Sequence, residues 1–203
     1  MARKRVAVLI SGRGSNMAAL IAAAEVPDYP AEIAIVIADR RDAAGLARAK
    51  AAGVPISVVD YAGAGSRSAA EAALDRTLSE AQIDIVCLAG FMRVLSADFV
   101  ARWRDRLINI HPSLLPAFPG LDTHNRALAA GVREHGCSVH FVRAAVDSGP
   151  VIARATVPVL PSDTADGLAA RVLAAEHRLY PEALALVASG AVTVAGERVV
   201  VTA

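Results

Sequence analysis

Five short apolar runs, separated by alanine-rich segments of helical period, leave this chain few folds to choose from. "RVAVLI" (5–10), "IAIVIA" (33–38), "PISVVD" (55–60), "IDIVCLAG" (83–90) and "RLINI" (106–110) are apolar almost throughout rather than alternating. That is the signature of parallel strands covered on both faces. Between them "NMAALIAAA" (16–24), "AAGLARAKAAG" (43–53), "SAAEAALDRTLSEA" (68–81) and "ADFVARWRDR" (97–106) read as helices, the second stopping at Gly53. Strand–helix alternation of this kind predicts an α/β chain with a doubly wound, mostly parallel sheet and right-handed crossovers.

The pattern changes after residue 110. A proline-rich segment leads to a short helix near "HNRALAAG", and "CSVHFVRA" and "VIARATVPV" read as antiparallel strands. A long helix over about 162–189 follows, and "AVTVAGERVVV" closes the chain as a hairpin around Gly196. With no repeat or low-complexity linker, residues 1–203 are read as a single domain, with halves 1–110 and 111–203.

Composition narrows the partners. Hydrophobic residues make up 55% of the 203, so a substantial core is available. Lys+Arg 21 against Asp+Glu 20 gives a net charge of +1, no basis for expecting nucleic acid or a membrane surface as partner. No apolar run approaches the roughly 18 residues of a membrane span. The N-terminal "MARKRVAVLI" breaks at once into "SGRGSN", so it reads as a buried strand and not a signal peptide. Cys87 and Cys137 form no CxxC pair or Cys/His cluster; a reducing, cytoplasmic setting and no metal are expected.

Two stretches carry chemistry. In "VLISGRGSNMAAL" a glycine-rich turn joins the first strand to the first helix. Gly12 and Gly14 let a ligand approach the main chain, and Ser15 or Asn16 can cap a helix whose free N–H groups favour phosphate. A Walker loop is excluded by the missing GK[ST], and Met17 fits a dinucleotide fingerprint poorly, which leaves a phosphate monoester or simply a tight turn. In "INIHPSLLPAFPG" strand alternation puts Asn109 and His111 on one face and Ile108 and Ile110 on the other. Ligands of open parallel sheets bind beyond the carboxyl ends of strands, so a carboxamide and an imidazole project into that crevice. Pro112, Pro116 and Pro119 stiffen the loop that follows.

"VDSGPVI" adds Asp147, whose carboxylate can reach back to the imidazole. The alternative is a satisfied histidine at a strand end beside a turn-forming asparagine. An Asn–His–Asp set without a Ser or Cys nucleophile suits acyl transfer to an amine that the substrate brings. Asn109 and His111 then donate to an oxyanion while Asp147 favours the imidazolium. The residues alone do not name the acyl group.

"SGRGSN", "LAGFMRVLS", "NIHPSLLPAFPG", "EHGCSVHFV", "DSGPVI" and "AEHRLYP" occur in the order and spacing of the folate-dependent phosphoribosylglycinamide formyltransferases. The chain resembles that family from Val6 to Pro181. The resemblance implies a Rossmann-like formyltransferase fold whose C-terminal half (111–203) carries the folate side and whose first half (1–110) carries the nucleotide side. It implies formyl transfer from 10-formyltetrahydrofolate, as co-substrate, to the amine of glycinamide ribonucleotide in purine synthesis. By position, Asn109, His111 and Asp147 match the family's catalytic trio, with His111 as proton donor. Gly14, Ser15, Asn16 and Glu176 match ribonucleotide contacts. Arg67, Met92, Arg93, Val94, Leu95 and Asn109, with the loop Arg143, Ala144, Ala145, Val146 and Asp147, match folate contacts. Read without the family, Met92 and Leu95 are core, Arg67 is a solvated helix start and Glu176 half of an ion pair. His140 is left outside the set of ligand contacts. No nucleic acid or membrane partner is implied, and a monomer or homodimer is expected.

Three rivals share features. A formyltetrahydrofolate hydrolase has the same trio but usually an added N-terminal domain, whereas this chain starts at its first strand. A methionyl-tRNA formyltransferase needs an RNA-binding domain and a basic surface. A non-catalytic nucleotide-binding module would use the glycine turn, with Asp39 contacting a ribose.

Overall fold

The computed structural model describes residues 2–202. Nine strands and six helices follow in order: β1 (Lys4–Ile10), α1 (Ser15–Ala24), β2 (Ala31–Ala38), α2 (Gly45–Ala51), β3 (Ile56–Val58), α3 (Arg67–Glu80), β4 (Ile85–Leu88) and α4 (Ala97–Arg102), then β5 (Leu107–His111), α5 (Thr123–Ala129), β6 (Glu134–Phe141), β7 (Val151–Pro158), α6 (Ala165–Ala188), β8 (Val192–Ala195) and β9 (Arg198–Val201). Seven strands form one sheet in the order β3-β2-β1-β4-β5-β6-β7, and β8 and β9 pair separately. β1 to β5 pair in parallel; β5 with β6 and β6 with β7 pair antiparallel.

The continuous apolarity of β1 is explained by what lies on either side of it. Val6, Val8 and Ile10 join a core with Met17 and Leu20 of α1 and Leu179 and Leu184 of α6. Ala7 and Leu9 join a second core with Leu74 and Leu78 of α3 and Phe99 of α4. Period-2 alternation therefore feeds two helix layers, and each fully buried Leu or Ile contributes about 1.5–3 kcal/mol. Tyr180 of α6 ties its layer to the sheet: its buried hydroxyl lies 3.0 Å from the Leu88 carbonyl and 3.2 Å from that of Ile108.

The chain runs outward from β1 through β2 to β3, then returns to the other side of β1 with β4. That reversal opens a crevice at the carboxyl ends of β1 and β4, where open α/β sheets bind ligands. Several elements are shorter than their sequence patterns, α2, β3, β4 and α4 among them. β3 covers three residues because it is an edge strand that soon enters a turn, where Asp60 Oδ1 accepts from the amides of Ala62 and Gly63. α4 stops at Arg102, and Asp105 then takes φ 58°, incompatible with a continuing helix. Among the described residues no helix is long and apolar enough to cross a membrane.

Candidate active site

At the end of β1, Ser11 to Asn16 line a cleft of about 490 Å³, together with Asp39, Arg40, Ala89, Gly90, Met92 and Arg93. Gly14 is the N-cap of α1 at φ 69°, and a Cβ there would sit 3.1 Å from Cα of Gly45. Glycine is required twice over, by the left-handed backbone and by the approach of α2. Gly12 has nothing within 4 Å of where its Cβ would be, so the main chain is open to a ligand.

The sequence reading of Ser15 or Asn16 as a side-chain cap is corrected. Gly14 holds that position, and no side chain caps the helix. Asn16 is turned away because its Nδ2 donates to Glu176 Oε2 at 2.7 Å, across 160 residues of sequence. The first amides of α1 keep no side-chain partner, and Ser15 and Asn16 line the cleft, an arrangement suited to an anion. Burial pushes the Glu176 carboxyl up, against the Asn16 donor. Both side chains are buried, and Asn16 Oδ1 has no partner among the described residues.

At the end of β5, three segments converge. Ile108 and Ile110 face the α6 core, as alternation requires, and Asn109 and His111 take the opposite face. His111 Nδ1 lies 3.3 Å from Asp147 Oδ2, and His111 Nε2 lies 3.1 Å from the Phe118 carbonyl. Both ring nitrogens therefore meet acceptors, which suits the imidazolium. Burial is the larger influence and lowers the His111 pKa, opposed by the Phe118 carbonyl and by Asp147. Burial also acts to raise Asp147, yet the Gly120 amide, which donates to Oδ2 at 2.8 Å, and the His111 ring beside it hold that carboxyl below its ordinary value. Asp147 thus stays ionised beside the imidazole.

His140, set aside by sequence reading, stands at the centre of this group. Antiparallel pairing places it opposite Asn109. Its Nδ1 lies 3.0 Å from the Phe141 carbonyl and so carries the proton; its Nε2 then accepts from Asn109 Nδ2 at 3.2 Å. Asp147 Oδ1 is 3.6 Å from the same Nε2. The signal available in the sequence was its place in an apolar strand: a buried histidine there needs polar partners. The proline-rich loop is fixed to β6, since Ser138 Oγ donates to the Ser113 carbonyl and accepts from the Leu115 amide.

The expected folate positions divide. Met92 and Val94 are exposed at 68% and 62%, and Val146 at 58%; of these Met92 lines the cleft. Leu95 is a core residue, packed in the α3–α4 layer. Arg93 Nε is 2.5 Å from Asp39 Oδ2, which engages the carboxylate that the nucleotide-module reading assigned to a ribose. Arg143 has its guanidinium on Asp105 and Glu197, so Ala144 and Ala145 are left to offer main chain and small side chains. Arg67 lines a separate hollow between α3 and α4, with Ser68, Glu71 and Ser96.

The sequence pattern of the formyl transferase family matches residues 4–184. This chain belongs to that family. Among relatives, it is 44% identical over 185 residues to phosphoribosylglycinamide formyltransferase of Escherichia coli (strain K12), covering 91% of this chain and 87% of that one. It is 49% identical over 197 residues to the trifunctional purine biosynthetic protein adenosine-3 of Drosophila melanogaster; the match takes in 96% of this chain and spans 15% of that longer protein. Glycinamide ribonucleotide transformylase 1 from Symbiobacterium toebii has the same fold, with a TM-score of 0.95 at 47% identity over 99% of this chain and 95% of that one. Within this chain the match spans β1 to most of α6, and so includes the glycine turn, the Asn109–His111 strand end, Asp147 and Glu176.

Proposed function

We propose that this formyl transferase moves the formyl group of 10-formyltetrahydrofolate to the amine of glycinamide ribonucleotide, a step of de novo purine (IMP) synthesis, as a single unit acting on two small molecules without metal. The observation that carries the reading is the convergence of Asn109, His111 and Asp147 at the carboxyl end of β5, within 3.3 Å at the His–Asp contact, beside a glycine turn suited to phosphate.

The phosphate docks on the free amides at the start of α1, with Glu176 and Asn16 taking ribose hydroxyls. The neutral amine attacks the formyl carbon, its N–C bond forming as the carbonyl π pair moves to oxygen. One Asn109 N–H is held by His140, and its second donates to that oxyanion; His111 Nε2–H turns from the Phe118 carbonyl to do the same. Such donors commonly contribute about 10²–10³ in rate each. Asp147 offsets the burial that disfavours the imidazolium. The tetrahedral centre collapses by breaking its bond to folate N10, which receives the proton that the amine loses. Met92, Val94, Val146 and the main chain of Ala144 and Ala145 hold the flat pterin. Two unpaired, buried thiols, Cys87 and Cys137, accord with a reducing cytoplasmic setting.

The test is spectroscopic release of tetrahydrofolate from 10-formyltetrahydrofolate, with and without glycinamide ribonucleotide. Release that requires the ribonucleotide is expected. Release independent of it would make the chain a hydrolase, and dinucleotide binding that survives loss of His111 and Asp147 would make it a non-catalytic module.

A further inference from the structure

The β8–β9 hairpin lies outside the main sheet, yet it reaches back to the folate side. Glu197 sits in its turn, beside Gly196 at φ 64°. Its Oε2 lies 3.0 Å from Arg143 Nε and its Oε1 lies 2.8 Å from Arg104 Nη2. Arg143 also meets Asp105 Oδ1 at 2.8 Å and the Val142 carbonyl at 3.1 Å. Four charges thus join the α4–β5 connection, the exit of β6 and the hairpin turn. Arg143, with a side chain only 10% exposed, is the hub. From that hub the chain runs four residues to Asp147. The loop closes where a Cβ on Gly149 would stand 1.7 Å from the Phe141 carbonyl oxygen, so its two ends are in backbone contact. A loop pinned at its base in this way passes any shift of Arg143 on to the residues that follow.

We infer that Glu197 is a positioning residue for formyl transfer: its carboxylate fixes Arg143 and through it the register of Ala144 to Asp147 against the folate co-substrate. The kinetic form of this inference rests on the proposed function; the structural form does not.

Glu197→Gln keeps the shape of the side chain and removes its charge. The ion pairs of Glu197 are exposed and so the effect is modest: the folate KM rises about two- to fivefold, with the ribonucleotide KM and the thermal midpoint unmoved. Glu197→Asp, which keeps the charge on a shorter arm, recovers part of the loss. Hydrogen exchange of the amides of residues 144–147, measured without substrates, is faster in Glu197→Gln and unchanged in α1. Equal rises in both KM values, or an unmoved folate KM in an active enzyme, would overturn the inference, as would unaltered exchange in the loop. If the wild-type chain transfers no formyl group, the proposed function fails, and the exchange measurement alone decides whether the hairpin holds the loop.

Discussion

His111 is held between two acceptors in a buried place that disfavours its charge, so its neighbours decide what it can do. His111→Ala removes both the donor and the proton carrier, and kcat is expected to fall by about 10²–10⁴. Asp147→Asn keeps the shape but withdraws the carboxylate that offsets burial, and a loss within the same range is expected, with circular dichroism unchanged. Turnover near the wild-type rate in either variant rejects the assigned roles. His140→Ala leaves Asn109 without the acceptor that orients its amide; a misplaced donor is expected to cost about 10–10²-fold in single-turnover rate, with little change in either KM.

Two elements give the site its shape, the start of α1 and the long α6. Since Gly14 caps α1 and Asn16 is bound to Glu176, the proposed phosphate site consists of main-chain amides that no side chain caps. Asn16→Ala, which loses its hydrogen bond to the Glu176 carboxylate, about 1.5–3 kcal/mol, is therefore expected to raise the ribonucleotide KM about tenfold or more while moving the folate KM less, whereas Ser15→Ala, which keeps the amides, is expected to change it little. Equal effects on both constants remove the phosphate assignment. Tyr180 joins α6 to β4 and β5, and Tyr180→Phe leaves buried carbonyls without their donor. A loss of about 1–3 kcal/mol in urea unfolding is expected, and no change in midpoint contradicts the tie.

Acidification tests the molecule as a whole. His135 is buried, and burial, together with the neighbouring His124 ring, pushes its pKa to about 4 against the Pro112 carbonyl. Burial also lowers His111, His124 and His177. The unfolded chain takes up protons on these rings near pH 6.5, before the folded one does, so stability is present above that pH and lost as pH falls towards 4. At about 1.4 kcal/mol per pKa unit, His135 alone accounts for roughly 3–4 kcal/mol over the whole range, about 2 of it between pH 7.5 and 5. Denaturant midpoints at pH 7.5 and 5 should differ accordingly, and His135→Gln should flatten the difference; a flat wild-type profile rejects the reading.

The order of strands and helices, the two-sided burial of β1 and the shared face of Asn109 and His111 follow from backbone periodicity, which depends on neighbours a few residues away and can be read from a string of letters. The proline-rich stretch likewise announced a stiff loop at a strand end. Which polar group each side chain meets was decided by tertiary structure alone. Asn16 leaves its cap for a carboxylate 160 residues away, Arg93 and Arg143 are engaged by Asp39 and Glu197, and Leu95 enters the core. A long polar side chain reaches whichever partner the fold brings near, and that partner's identity leaves no local pattern. His140 shows the same division: its strand and face were legible, but its place between Asn109 and Asp147 arose when β6 turned back to pair with β5.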